Sequence, residues 1–441
     1  MGGDFEDRIE SRTIRRIYWR IVPLFFAMMF FNYLDRINIG FAGLKMNQDL
    51  GFGPETFGFG ASIFFLGYMV LEVPSNLMLH WAGARVWLAR ILISWGAVAT
   101  CTAFASGVWS FDALRFALGL AEAGFMPGVV LYFSYWFPTR YRARAIAGYI
   151  IAGALSAVFG GPISTALMTY CDRLAGLHGW QWMFIAEGVP TMLLGLFTLY
   201  YLSDRPDDAR WLTEGERRWL QSELAAEQAA IERYGRFRLS DAICDVRVWL
   251  LASLFGCALV GIYGMLIWLP QIIKSLGSRS DIEIGFLSAV PPLLGVVGTL
   301  IVSRSSDRSG DRKLHLAAVY TLGAIGMLSS ALVSNPLAAY LCLCLAGLGI
   351  NSGNALFWSL NASFMTGVAA AASIATVNTI AQFGGLIGPW LIGLVKHETG
   401  SFSLALTIVA GFLFVAAVIA VVMPATSRPR RKTGMIAPKI I

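Results

Sequence analysis

Six ionisable residues stand inside long apolar runs of this chain: Asp35, Arg36, Glu72, Arg115, Glu122 and Glu187. A charge at bilayer depth costs about 2.5–3.5 kcal/mol even on lenient scales, so it is kept where it lines a solute path or relays protons. Asp35 and Arg36 are adjacent and would point about 100° apart on a helix. Arg115 and Glu122 lie seven residues apart, which is two helical turns, or about 10.5 Å along one face. Gly119 between them thins that face and admits a neighbouring helix or a ligand. A guanidinium fork holds a carboxylate bidentately. Desolvation favours a neutral acid and a nearby guanidinium favours the carboxylate, and a group under both influences can load and release a proton. The plainer alternatives are a static buried pair of Arg115 with Glu122, and an Asp35-Arg36 dyad that only orders a helix contact. For Glu72, beside Pro74, and for Glu187, structural bracing is the expectation.

The elements that position these residues are apolar helices. The chain is 56% hydrophobic and 14% charged, against about 25% charged in soluble domains. Runs of about 20 apolar residues cross a bilayer as helices. Twelve are predicted, at 17–39, 57–79, 86–107, 109–133, 144–169, 180–203, 248–274, 284–304, 315–334, 336–360, 367–395 and 401–423. The expected fold class is an all-α membrane protein of twelve transmembrane helices in two pseudo-symmetric six-helix bundles. The polar stretch 204–247 divides an N-terminal bundle, 1–203, from a C-terminal bundle with a basic tail, 248–441. It reads as a linker with short amphipathic helices, and Thr213 with Glu216 has the spacing of a capping box.

Of the 34 Lys and Arg residues, 27 fall in the terminal segments and in loops on one side of the twelve spans, and five in loops on the other. The positive-inside rule then places both termini and the linker in the cytoplasm. The same rule accounts for the net charge of +7, so no nucleic-acid partner is implied. The first sixteen residues, MGGDFEDRIESRTIRR, lack the apolar core of a signal peptide. The six cysteines show neither metal-ligand nor disulfide spacing. No HExxH, GxSxG or metal cluster is present and the four histidines sit at or near predicted loops. No enzyme, cofactor or metal is expected.

The two halves carry traces of one motif. LHWAGARVWLAR after the second run and SSDRSGDRKLH after the eighth place Gly83 and Arg85 where Gly310 and Arg312 stand. Asp307-Arg308-Ser309-Gly310-Asp311-Arg312-Lys313 resembles the D-R-x-G-x-R-K loop of the major facilitator superfamily; the first copy departs from it, with His80 for Asp and Trp81 for Arg. NYLDRINIG, LGYMVLEVPSN, RFALGLAEAGFMPG, YFSYWFP and GWQWMFIAEGVP, in this order, resemble the anion:cation symporter branch, which includes bacterial hexonate, tartrate and phthalate permeases and the sialin-type carriers.

The resemblance implies a proton-coupled symporter that imports a small organic carboxylate by alternating access, working as a monomer in a bacterial inner membrane. Its partners are the carboxylate, protons and the lipid bilayer. It implies proton coupling at Asp35 and Glu122, and an anion-binding role for Arg36. Arg115 reads as a substrate or switching residue. Tyr68, Trp358 and Asn378 fall at positions where the family contacts substrate. Tyr33, Tyr263 and Gln382 read as further pocket lining, by their polarity and position along the runs; helix packing is the alternative for each aromatic and amide. Asp307, Arg308, Gly310 and Arg312, with Gly83 and Arg85, would form gating loops. A proton-driven exporter of drugs or metabolites on the same fold is the alternative function.

Overall fold

The computed structural model describes residues 2–232, 245–364 and 368–423. Residues 233–244 of the expected linker and the basic tail beyond Met423 lie outside the described residues. Among the described residues, twelve helices are long and apolar enough to cross a bilayer. They are span 1 (Ile9–Ala42), span 2 (Pro54–Leu79), span 3 (Ala84–Thr102), span 4 (Val108–Trp136), span 5 (Thr139–Tyr170) and span 6 (Gly179–Tyr201). The second set is span 7 (Val246–Ser275), span 8 (Asp281–Ser309), span 9 (Arg312–Leu332), span 10 (Pro336–Asn361), span 11 (Thr376–Thr399) and span 12 (Ser403–Val422). No strand occurs among the described residues. A bilayer offers backbone groups no water, and a helix satisfies its own.

Packing repeats between the halves. Spans 1 and 5, 2 and 4, and 3 and 6 pack together, as do 7 and 11, 8 and 10, and 9 and 12. Across the middle, span 2 meets span 11 and span 5 meets span 8, which is the exchange a pseudo-two-fold axis requires. The paired loops also repeat. Gly83 has φ 85° and Gly310 has φ 71°, a backbone region that glycine enters without steric cost. Their tethers differ. The Arg85 backbone N–H donates to Asp204 Oδ1 at 2.8 Å and its guanidinium lies 3.5 Å from Asp204 Oδ2, whereas Arg312 donates to the Ser359 carbonyl at 3.4 Å. Asp307 and Arg308 are exposed.

One element departs from the sequence reading. Span 4 is broken: one helix runs Val108–Glu122 and a second Phe125–Trp136, with Gly124 at φ 83° between them. Glu122 is therefore the last residue of its helix. The stretch 204–232 holds a short 3-10 helix, Pro206–Asp208, and a longer helix of 19 residues, Glu214–Glu232. Its cap is the expected one: Glu216 accepts from the Thr213 N–H at 2.9 Å and Thr213 Oγ1 from the Glu216 N–H at 3.4 Å. Glu216 also takes Arg16 at 2.6 Å, fastening the linker to the base of span 1.

The halves are joined on the face away from the termini. There Lys45 meets Asp281 at 3.3 Å and Lys274 Nζ donates to the Leu44 carbonyl at 3.1 Å. Deeper in, the Trp390 N–H donates to Ser62 Oγ at 2.9 Å.

Candidate functional site

The six charges sit within the first six spans, and five are nearly sealed: Asp35 is 5% exposed, Glu72 3%, Arg115 3%, Glu122 1% and Glu187 3%. The Arg36 side chain is 11% exposed. Among the described residues, no charged side chain of the last six spans is buried to that degree.

Arg36 is the hub. Its Nε donates to Glu122 Oε1 at 3.0 Å and its Nη2 makes a second, shorter bond to the same oxygen. Asn32 Nδ2 donates to that oxygen too, at 2.8 Å. Three donors thus converge on Oε1, while Glu122 Oε2 is buried without a protein hydrogen bond. The remaining arm of Arg36, Nη1, donates to the Tyr263 hydroxyl at 2.8 Å. Tyr263 belongs to span 7, so one guanidinium joins a carboxylate of one half to a phenol of the other. Buried charge is tolerated only when paired and hydrogen-bonded, and Arg36 with Glu122 meets that condition.

Glu122 thus neutralises Arg36 rather than Arg115, which sets aside a static Arg115–Glu122 pair. Arg115 is held loosely: Nη2 reaches the Ala61 carbonyl at 3.5 Å and Nε has no hydrogen-bond partner. Its guanidinium lies 5.1 Å from the Phe64 ring centroid, and Arg36 lies 5.5 Å from the same centroid. Both cations therefore neighbour one aromatic ring, a favourable cation–π arrangement. Gly119 serves close packing, since a β-carbon there would stand 2.8 Å from the Tyr68 nitrogen on span 2.

A second acidic cluster adjoins the first. Asp35 accepts from Trp95 Nε1 at 2.9 Å and from Asn38 Nδ2 at 3.3 Å. The same Asn38 amide donates to Glu187 Oε2 at 2.7 Å, and Ser164 donates to Glu187 Oε1 at 3.0 Å. Two carboxylates thus share one amide. Neither has a cation within 4 Å among the described residues, by contrast with Glu122. Asn38 Oδ1, buried beside them, has no donor.

Asp35, Arg36, Arg115, Phe64, Phe65 and Tyr263 line a void of about 10 Å³, room for about one water. A larger cavity of about 90 Å³ lies between the halves, lined by Tyr33 of span 1, Tyr263 of span 7, and Asn351 and Asn354 of span 10. Tyr68 is 3% exposed, its ring 5.5 Å from the Arg36 guanidinium. Gln382 is buried with Oε1 unpartnered, and both amide atoms of Asn361 and Asn354 Oδ1 are likewise unpartnered by protein. Trp358 lies edge-on to Phe255, 5.1 Å between centroids, outside the two voids described. Asn378 donates to Glu72 Oε1 at 2.8 Å, and Thr379 to Oε2 at 2.9 Å. Glu72 braces as expected, but across the two halves, and this occupies the Asn378 side-chain nitrogen.

Sequence reasoning passed over Asn32, Asn38, Phe64, Trp95 and Ser164. The two asparagines had a signal: they stand three residues before and after Asp35, the spacing that returns a side chain to the same helix face. Phe64, Trp95 and Ser164 had none, since they arrive from other spans.

Comparison with known proteins gives a consistent picture. A protein of Agrobacterium vitis named "Putative tartrate transporter" is 45% identical over 430 residues, covering 98% of both chains. A quinolone resistance transporter of Acinetobacter baumannii is 40% identical, over 90% of this chain and 91% of its own. Among solved structures, a bacterial homologue of the lysosomal transporter Spinster, inward-facing and occupied, superposes with a TM-score of 0.75 at 14% identity, covering 91% of this chain and 95% of that one. A D-xylose–proton symporter gives 0.74 at 15% identity, covering 91% and 97%. The Major Facilitator Superfamily model matches residues 25–389. This chain belongs to the Major Facilitator Superfamily and is a multi-pass membrane transporter, not an enzyme.

Proposed function

We propose that the protein is a proton-coupled symporter that imports a small organic carboxylate, such as a tartrate-like or sugar acid or an aromatic acid. The observation that carries this reading is the hold of Glu122 on Arg36. An internal carboxylate occupies the fork that a substrate carboxylate would need. Protonating Glu122 removes the competing charge and frees Arg36 for the substrate. Losing that proton expels the substrate by restoring the internal pair. Proton and anion therefore travel together. Asp35 is the second proton-coupling residue, and Arg115, beside Phe64, alternates between acidic partners. Tyr33, Tyr68, Tyr263 and Gln382 line the path.

The bundles 1–203 and 248–441 rock about this mid-membrane site, as paired repeats do in secondary transporters, with 204–247 as the tether. The face bearing the termini is the cytoplasmic one, and the described state, joined on the opposite face by Lys45–Asp281, is the one closed to the outside. The loops at Gly83–Arg85 and Asp307–Arg312 latch the opposite state. The named tartrate relative supports the substrate class.

Purified protein in liposomes, given labelled tartrate and other small carboxylates with an imposed pH gradient, tests the reading. Uptake that rises when the outside is acidified and stops with Glu122→Gln is the expected result. Uptake indifferent to the gradient and to that substitution would overturn it. The 40% identity to a quinolone resistance transporter favours a second reading, proton-driven export; quinolone extrusion against a gradient, with no carboxylate uptake, would establish that instead.

A further inference from the structure

At the base of span 1 the chain carries a second cationic site, unrelated to the six charges at depth. Arg12, Arg16 and Arg20 recur every fourth residue and Arg15 lies beside them, so all four share one side of the helix. Together with Trp19, Tyr201 and Trp211 they line an open cavity of about 640 Å³. Glu216 pairs with Arg16 at 2.6 Å and approaches Arg12 at 3.6 Å. Arg15 and Arg20 have no carboxylate within 4 Å among the described residues. Arg20 lies over the Tyr201 ring at 4.4 Å and the Trp211 ring at 4.9 Å, which fixes its plane. Among the described residues, one carboxylate against four guanidiniums leaves three positive charges around one cavity.

We infer that this cavity binds the phosphate headgroup of an anionic phospholipid in the leaflet nearest the termini. Depth supports a lipid over a soluble anion. Arg20 lies 22 residues from Ala42, the far end of span 1, or about 33 Å at 1.5 Å per residue. The hydrocarbon layer is about 30 Å thick, so Arg20 falls at headgroup level and Arg12, about 12 Å further along the helix, lies on its aqueous side. Trp19, 68% exposed at the cavity rim, has the polarity of an interfacial anchor. A track for acyl chains adjoins it: Leu193, Leu196 and Phe197 of span 6 are 58%, 45% and 49% exposed, and Phe197 stacks on Tyr201 at 4.9 Å. Headgroup and chains thus find charge and apolar surface in the order a phospholipid presents them.

The test is lipid retention by the full chain in native mass spectrometry, from detergent containing equal phosphatidylglycerol and phosphatidylcholine. Phosphatidylglycerol should be kept preferentially. Arg15→Ala/Arg20→Ala should weaken its retention about thirtyfold, at about fivefold per arginine near a membrane surface. Arg247→Ala/Arg304→Ala, an equal loss of charge elsewhere, should change it less than about twofold. Arg15→Ala alone, at an exposed side chain, keeps the test valid if the double variant misfolds. Equal retention of the two lipids, or equal losses in the two double variants, would overturn the site. Inorganic phosphate displacing the lipid at millimolar concentration would identify a soluble phosphate as the occupant and overturn the lipid assignment.

Discussion

The two halves of the molecule repeat each other's helix pairings but not their chemistry. In the first six spans, five charged side chains are buried: the four carboxylates accept from Arg36, amides, indole or hydroxyls, and Arg115 reaches only a backbone carbonyl. In the last six, the buried polar side chains among the described residues are neutral, and Asn361 and Gln382 keep amide atoms that no protein group satisfies. A common backbone plan fixes where side chains converge. It does not fix what converges. In the proposed cycle the first half changes charge and the second recognises uncharged groups. The cycle proposed above needs both.

The sharpest way to break this comparison is at the point where the halves meet electrically. Arg36→Ala leaves Glu122 buried without a cation, a penalty of about 3–5 kcal/mol. Carboxylate uptake in liposomes should fall by more than about a hundredfold. Arg36→Lys keeps the charge but loses the fork, and should recover only a small part. Full activity with lysine would show that charge alone suffices and that the geometry at Glu122 is incidental.

Next in size is Glu122→Gln. Net accumulation driven by acid outside should disappear, while exchange of labelled for unlabelled carboxylate across the membrane continues, because a neutral side chain leaves Arg36 permanently available. Loss of exchange as well would assign Glu122 to structure. Glu187→Gln discriminates the second acidic cluster. Should Glu187 only brace Asn38 and Ser164, the pH profile of uptake stays in place; a displaced profile adds Glu187 to the proton path.

A smaller effect is expected where the halves are braced. Glu72→Ala strands the Asn378 and Thr379 donors and removes two hydrogen bonds, each worth about 1.5–3 kcal/mol when one partner is charged. The balance between the two open states should shift, read as altered labelling of single cysteines introduced on each face. The smallest effects belong to the neutral half. Asn361→Ala or Gln382→Ala should raise KM by about tenfold or less, near 1 kcal/mol for one lost hydrogen bond, with kcat little changed. An unchanged KM would make these amides packing residues and leave recognition to the first half.

Much of this was legible in the chain. The twelve spans follow from apolar runs, because a bilayer penalises every unpaired backbone group. The six charges at depth announced themselves for the same reason. The break in span 4 was harder: Gly124 stands among Gly119, Pro127 and Gly128, and none of these by itself marks where a helix stops. The bonding pattern was not legible at all. Glu122 was as well placed for Arg115 on its own helix as for Arg36 on another, and only the packing of span 1 against span 4 decided between them. Asn378 read as pocket lining, and the seam between spans 2 and 11 gave its nitrogen to Glu72.

Composition and order of residues determined how many times this chain crosses the membrane, which family it belongs to, and which side chains carry charge into a medium that resists it. Tertiary structure decided the partners. Hydrophobic runs and their interruptions are local properties, so the sequence states them directly. A salt bridge between helices depends on rotations and offsets summed over the whole bundle. Differences of a few ångströms, which no spacing along one helix encodes, settle whether a carboxylate finds one arginine or another.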